Sequence, residues 1–213
     1  MSSKKRIISM IIYALGIFIT GLGANVLIRS SLGAGAWDAV AENFRILASI
    51  RLAYASLIIN TLVLIFVIIY NKDFKFLISL IPIAGIFVSI YFWDVIVLDT
   101  YYPDTWLLKS IFFLTGLLAI SFGLAAMVAS TFPAMVYDEL TIAMMNILHI
   151  KSFFKTRIIV EMSAVIIGSI IGLFAGITFG AVGLGTVLIS FILGPLISVH
   201  LKWLSQVLKQ KRI

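Results

Sequence analysis

The chain has no cysteine, only two histidines and few charged residues for its length. The absence of cysteine excludes disulfide bonds, thiolate-held iron–sulfur clusters and catalysis by a thiol. Charged residues make up 12% of the 213 residues, against roughly 25% in soluble domains. The apolar fraction is 62%, against roughly 45–50% in soluble domains. These values exclude a soluble globular enzyme and a disordered chain, and they are typical of a polytopic membrane protein with almost no domain outside the bilayer.

Signatures of catalysis and of metal binding are also missing from the sequence. No nucleophile motif, phosphate-binding loop or zinc-ligand spacing occurs. His149 and His200 each lie near a predicted helix end, with no second histidine at ligand spacing. We therefore expect no enzymatic activity, no metal site and no cofactor.

Six apolar runs, bounded by charged or turn-forming residues, predict six membrane-spanning helices. A span needs about 20 residues, so a chain of 213 residues accommodates six spans with short connections. The first run is too long for a signal-peptide core and lacks a convincing cleavage site, so we expect it to remain as a helix. The predicted spans are 7–28, 52–70, 76–97, 107–128, 158–175 and 184–201.

The distribution of basic residues predicts that both termini are cytoplasmic. With an internal N-terminus, twelve basic residues fall inside and four outside, the bias expected from the positive-inside rule. The same bias explains the net charge of +7, so we expect no nucleic acid partner. The internal residues are Lys4, Lys5, Arg6, Lys72, Lys75, Lys151, Lys155, Arg157, Lys202, Lys209, Lys211 and Arg212, and the external ones are Arg29, Arg45, Arg51 and Lys109.

The two halves of the chain resemble each other at an offset of about 100 residues. Both carry an aromatic residue followed by aspartate, Trp37-Asp38 in the first half and Tyr137-Asp138 in the second. Each half holds three spans, and an odd number requires the second copy to insert upside down. The predicted fold is an all-α polytopic membrane protein, a single membrane domain of residues 1–213 with six transmembrane helices in two inverted three-helix repeats, about 1–100 and 101–213.

A short helix is predicted after the first span of each repeat, at 37–48 and at about 137–148. Apolar residues recur there at the spacing of one helical face, and polar residues lie mostly on another. About 12 residues cover roughly 18 Å, which is too short to cross a hydrocarbon core of ~30 Å. The helices are either amphipathic and flat at the membrane surface, or re-entrant, with N-termini that approach each other from opposite faces.

Asp38 and Asp138 lie close to the predicted N-termini of these two helices. The structural interpretation is that each carboxylate caps the unpaired N–H groups of its helix. The functional interpretation places both carboxylates in contact with a solute or a proton at the centre of the protein, where the positive ends of the two helices would meet.

Polar residues within the spans are the other candidates for a solute or ion pathway. Glu161 lies about one turn into span five, and ionisable residues at membrane depth are costly. Arg157 precedes it by four residues, so an ion pair near the interface is the alternative explanation. Asn60 takes the equivalent place in span two, and Asn25 lies near the end of span one.

Glycine is concentrated between residues 168 and 194, around spans five and six. Close packing between helices is one explanation. Exposed backbone that lines a solute path is the other. The residues singled out for these roles are Gly183, Gly185 and Gly194.

A resemblance to a known family rests on three motifs. They are Leu32-Gly33 followed by Ala36-Trp37-Asp38, Tyr137-Asp138-Glu139-Leu140, and Gly183-Leu184-Gly185-Thr186 followed by Gly194-Pro195. Over nearly its whole length the chain resembles the YczE-like bacterial membrane proteins and, more distantly, the YitT-like group. That family commonly has proline before the tryptophan, where this chain has Ala36. The resemblance implies a multi-pass protein of the bacterial cell (inner) membrane, in a family with some members linked to lipopeptide production.

The repeat, the paired short helices and the intramembrane polar residues together predict a small-solute transporter or export accessory. Its expected partners are the lipid bilayer and an unidentified small molecule, with a homodimer or a partner subunit as a further possibility. Two alternatives remain open at this point: a substrate-binding S-type subunit of an ATP-driven transporter, and a non-transporting scaffold or regulator of secondary-metabolite production.

Overall fold

The computed structural model describes residues 3–130, 132–133 and 135–207, and this part of the chain is helical, with no β-strand. A 3-10 segment, Phe74–Ser79, leads into the fourth α-helix, and a π-helical segment, Phe92–Val97, follows it. The α-helices are α1 (Ser3–Ser30), α2 (Ala36–Ala48), α3 (Leu52–Asn71), α4 (Leu80–Tyr91), α5 (Trp106–Ala129), α6 (Val136–Leu148), α7 (Phe153–Phe174) and α8 (Leu184–Val207).

Six of these helices are long and apolar enough to cross a membrane: α1, α3, α4 with its flanking segments, α5, α7 and α8. The chain is therefore a multi-pass membrane protein, as its composition indicates. The predicted bounds agree to within four residues, except that α8 ends at Val207 rather than at 201 and α7 begins at Phe153 rather than at 158. Ser152 accepts a hydrogen bond from the Lys155 N–H and starts the helix there, so Arg157 lies inside α7 and not in the preceding loop.

The basic residues that predict the orientation are described only in part. Lys209, Lys211 and Arg212 lie outside the described residues, and so do the side chains of Lys4 and Lys5.

Helices α1 and α5 form a central antiparallel pair that crosses at close range through glycines. A Cβ atom at Gly16 would lie 2.8 Å from the Gly123 carbonyl oxygen, and one at Gly123 would lie 2.7 Å from the Gly16 oxygen. Gly23 and Gly116 make the same reciprocal approach, at 2.9 Å and 3.1 Å. Small residues of this kind allow two helix backbones to pack directly against each other.

Helices α2 and α6 lie among the long helices, each against both α3 and α7. Buried Asn43 anchors α2, because its Nδ2 donates to the carbonyl oxygens of Gly168 (2.8 Å) and Phe179 (2.9 Å). Its Oδ1 accepts from the Ala181 N–H at 2.9 Å. These bonds tie the middle of α2 to α7 and to the connection between α7 and α8.

The N-termini of α2 and α6 lie close together in the structure. They do so although α1 and α5, which precede them, are antiparallel and so have their C-termini at opposite ends of the pair. The Tyr13 hydroxyl donates to the Pro133 carbonyl oxygen at 2.8 Å, which puts the connection after α5 beside the first half of α1. The connection after α1 starts from the other end of that helix, beyond Ser30. Trp37 and Tyr137, at the starts of α2 and α6, nevertheless stack on each other. The starts of α2 and α6 therefore meet although α1 and α5 end far apart.

Candidate functional site

The first turns of α2 and α6 meet through two aromatic side chains. The ring centroids of Trp37 and Tyr137 are 4.8 Å apart, and the ring planes are inclined by 21°. Each aromatic residue is followed directly by an aspartate, so Asp38 and Asp138 are brought to the same region. The contact joins two segments that the sequence separates by 100 residues.

Arg157 connects α6 with the carboxylate inside α7. Its Nη1 donates to Asp138 Oδ1 at 2.7 Å, and its Nε donates to Glu161 Oε1 at 2.8 Å. The Glu161 side chain is almost fully buried, whereas those of Arg157 and Asp138 are partly exposed. The ion pair between Arg157 and Glu161 expected from their spacing is present. Arg157 also binds Asp138 on the neighbouring helix α6.

Asp38 lies beside this network without an ion pair of its own among the described residues. Its side chain is only partly exposed. Burial raises the pKa of the Asp38 carboxyl to about 7, and the neighbouring Glu161 carboxylate adds to the rise. The site thus brings three carboxylates together with one guanidinium, and one carboxylate is left without a cationic partner.

Neither aspartate caps its helix in the expected way. The capping positions are taken by Gly35 and Met135, and neither helix has a side-chain capping hydrogen bond. Asp38 and Asp138 lie in the first turn instead, where the positive end of the helix stabilises a carboxylate. The N-termini of α2 and α6 both favour negative charge here, but their partial positive charges sum to only about one elementary charge. The site therefore keeps a negative balance when all three carboxylates are ionised.

The two asparagines that the sequence selects lie in different surroundings. Asn60 is 4% exposed, and its Nδ2 donates to the Ser56 carbonyl oxygen (2.7 Å) and hydroxyl (3.1 Å). Its Oδ1 has no hydrogen-bond partner among the described residues. Asn25 donates to the carbonyl oxygens of Gly21 and Ile90 and so joins α1 to α4. Nothing places Asn25 in contact with the charged cluster, so its observed role is to hold two spans together.

An apolar cavity of about 360 Å³ opens between α2, α3, α6 and α7. Trp37 and Val160 form part of its wall and directly precede Asp38 and Glu161, so the cavity lies next to the charged cluster, although no charged side chain of the described residues lines it. The wall is otherwise almost entirely aliphatic or aromatic. The lining residues are Trp37, Val40, Ile59, Leu62, Val63, Phe66, Leu140, Met144, Ile159, Val160, Ser163 and Ile167.

The selected glycines divide into two groups by what surrounds them. A Cβ at Gly183 or Gly185 would lie 3.0 Å or 2.5 Å from the Leu32 carbonyl oxygen, which accepts a hydrogen bond from the Gly185 N–H at 3.0 Å. These two glycines let the connection between α1 and α2 pack against the start of α8. Gly33 belongs to the same contact, and its φ of +130° is a conformation that favours glycine. Around Gly194, by contrast, a Cβ would meet no atom of the described residues within 4 Å.

Sequence reasoning does not assign a site role to Trp37 or Tyr137, because aromatic residues on an apolar helical face are ordinarily packing residues. Their matching positions in the two halves are the signal that could have selected them. A second ion pair, between Arg29 and Asp94, is also missed: 65 residues separate its members, and no spacing pattern links them.

Comparison with known proteins defines the family. Residues 7–202 match the family of unknown function DUF6198, and the chain belongs to this family. An uncharacterized protein of Haemophilus influenzae is 25% identical over 94% of this chain and 85% of its own length. The uncharacterized protein YyaS of Bacillus subtilis is 27% identical over 89% of this chain and 90% of its own length. No solved structure is significantly similar to the chain.

Proposed function

We propose that this member of the DUF6198 family is a small-solute transporter or export accessory of the bacterial cell membrane. The observation that carries the proposal is the meeting of α2 and α6, which gathers Asp38, Asp138, Arg157 and Glu161 between the long helices. Ionisable groups at membrane depth are rare, and they mark solute or ion pathways more often than they serve packing. The proposed site has no catalytic step, and the protein would act without enzymatic activity.

Contacts that recur at an offset of 100 support two inverted repeats. Ser30 donates to the Leu27 oxygen and accepts from the Leu32 N–H, and Ser130 does the same with Met127 and Phe132. The contact of Gly16 with Gly123 corresponds in the same way to that of Gly116 with Gly23. Shifting each residue number by 100 turns one of these contacts into the other. A two-fold axis between the repeats would produce this relation.

The same axis would make α2 and α6 re-entrant half-helices. Each would enter from one face of the membrane and return to it, with its N-terminus near the middle. This arrangement agrees with the buried anchor of α2 at Asn43 and with the stack of Trp37 on Tyr137. Discontinuous or half-length helices at the midplane are a recurring device in transporters that use inverted repeats.

The proposed mechanism is alternating exposure of the central site by rocking of residues 1–100 against 101–213. The glycine-lined crossing of α1 and α5 would serve as the pivot, because it is the most extensive helix–helix contact between the repeats. Both termini would be cytoplasmic, as the positive-inside rule predicts. The relation to YczE-like proteins, suggested by the three motifs, belongs to this proposal as well.

Accessibility from the two sides of the membrane tests the proposal. The chain has no native cysteine, so Asp38→Cys and Asp138→Cys can each be labelled with membrane-impermeant thiol reagents, in cells and in inverted vesicles. Thr100→Cys, in the exposed connection before α5, is the one-sided control. Labelling of both site positions from both sides is expected of a shared water path. Labelling of Asp38→Cys only from outside and Asp138→Cys only from inside would contradict the proposal and favour a non-transporting scaffold.

A further inference from the structure

The charged cluster and the apolar cavity are adjacent, and together they indicate a class of solute. We propose that the site takes a protonated amine with an apolar body, with the ammonium group at Asp38 and the body in the cavity lined by α3 and α7. This inference rests on the proposed function and names its substrate class.

The charge of the solute follows from the cluster. Arg157 is already engaged by Asp138 and Glu161, whereas Asp38 has no cationic partner among the described residues. A partly buried carboxylate without a counter-ion is costly, and a bound cation removes that cost. A second acid, Glu161, lies near enough to repel an anion. The site therefore complements a positive charge and opposes a negative one.

A further feature of the surroundings favours an ammonium over a simple metal cation. The stacked rings of Trp37 and Tyr137 lie next to the two aspartates, and aromatic faces attract organic ammonium groups. Among the described residues, no group of three histidine or acidic side chains is arranged to hold a metal ion.

The body of the solute follows from the cavity. About 360 Å³ of space is walled almost entirely by apolar side chains, and one of them, Trp37, directly precedes Asp38. Ligand cavities typically measure about 300–1,000 Å³ and hold an apolar body with a few polar contacts. A small hydrophilic cation would leave this wall unused, whereas an arylalkyl amine fits both halves of the site.

Calorimetric titration of the purified full-length protein tests the inference with three probes that share one apolar body. They are 4-phenylbutylamine, 4-phenylbutan-1-ol and 4-phenylbutyrate. The amine is expected to bind saturably, the alcohol more weakly and the acid not at all. Asp38→Asn is expected to weaken amine binding by more than about tenfold, since it removes one charged hydrogen bond. Asp104→Asn, in an exposed loop, is expected to leave binding unchanged.

A second variant tests the cavity without changing any charge. Ser163→Phe places a ring in the cavity wall and is expected to abolish amine binding. Ser169→Phe is the matched control on the same helix, because both hydroxyls bond only to their own helix and Ser169 does not line the cavity. Equal binding of amine and acid, or amine binding unaffected by both Asp38→Asn and Ser163→Phe, would overturn the inference. The thiol-labelling experiment on Asp38→Cys and Asp138→Cys uses no ligand. If labelling supports a shared water path but the amine does not bind, the proposed solute class is wrong and the proposed transport function is not.

Discussion

Asp38 and Asp138 occupy the same position in their helices, but among the described residues only Asp138 has a cationic partner. Asp138 pairs with Arg157 across to α7. The position on α3 that corresponds to Arg157 carries Ser56, which accepts a hydrogen bond from Asn60. The pair Ser56 and Asn60 thus stands in one half where Arg157 and Glu161 stand in the other. This asymmetry leaves Asp38 without a cationic partner among the described residues.

The ion pair between Arg29 and Asp94 is expected to stabilise the folded protein. Arg29 is 2% exposed, and it donates to the Asp94 carboxylate (2.8 Å) and to the Asp99 carbonyl oxygen (2.9 Å). Asp94→Asn leaves a buried guanidinium without its counter-ion. We expect a destabilisation of about 2–4 kcal/mol, less than full burial would give because Asp94 is partly exposed.

The melting temperature of the purified protein in detergent measures this effect, with Asp73→Asn as the matched control. Asp73 also forms an ion pair, with Lys75, but both side chains are exposed. We expect Asp94→Asn to lower the melting temperature by several degrees and Asp73→Asn to leave it unchanged. Equal effects of the two substitutions would mean that burial of Arg29 does not matter for stability.

At the scale of helices, the crossing of α1 and α5 allows no side chain at its contact points. Gly123→Ala would place a Cβ 2.7 Å from the Gly16 oxygen, so the helices must separate. Overpacking of this kind typically costs about 1–3 kcal/mol, which outweighs the gain of up to about 1 kcal/mol from the better helix propensity of alanine.

Gly194→Ala is the matched control, since it makes the same substitution in a helix where the added Cβ meets no atom of the described residues within 4 Å. Thermal unfolding in detergent is expected to show a lower melting temperature for Gly123→Ala and an unchanged or higher one for Gly194→Ala. A melting temperature that Gly123→Ala leaves unchanged would show that the close crossing is not a stabilising contact.

The spans were predictable from the sequence because each is a long apolar run, and length and composition alone distinguish such runs. The start of α7 was not, because the apolar run begins after Arg157 while the helix begins at the cap formed by Ser152. Hydropathy detects where a helix enters apolar surroundings, and capping decides where its hydrogen bonding starts. The difference places Arg157 within α7, where the pair with Glu161 predicted from their spacing lies within one helix.

At the scale of the whole molecule, the sequence selected Asp38, Asp138, Arg157 and Glu161 one by one but could not bring them together. Their assembly depends on where the connections after α1 and α5 run, which no periodicity encodes. The buried bonds of Asn43 to Gly168, Phe179 and Ala181 are equally long-range. A single buried asparagine in an amphipathic helix gives no sign of which backbone groups it will meet.

The proposed site depends on the meeting of the starts of α2 and α6 between the long helices. Cross-linking of the double variant Trp37→Cys and Tyr137→Cys in native membranes tests it most directly, with a short bifunctional thiol reagent and mass spectrometry of the proteolytic fragments. The control pair is Trp37→Cys with Trp203→Cys, because Trp203 packs against Phe122 near the end of α8. We expect a cross-link within one chain for the first pair and none for the control. Absence of the cross-link in the first pair, with both cysteines reactive, would place the starts of α2 and α6 apart and rule out the proposed site.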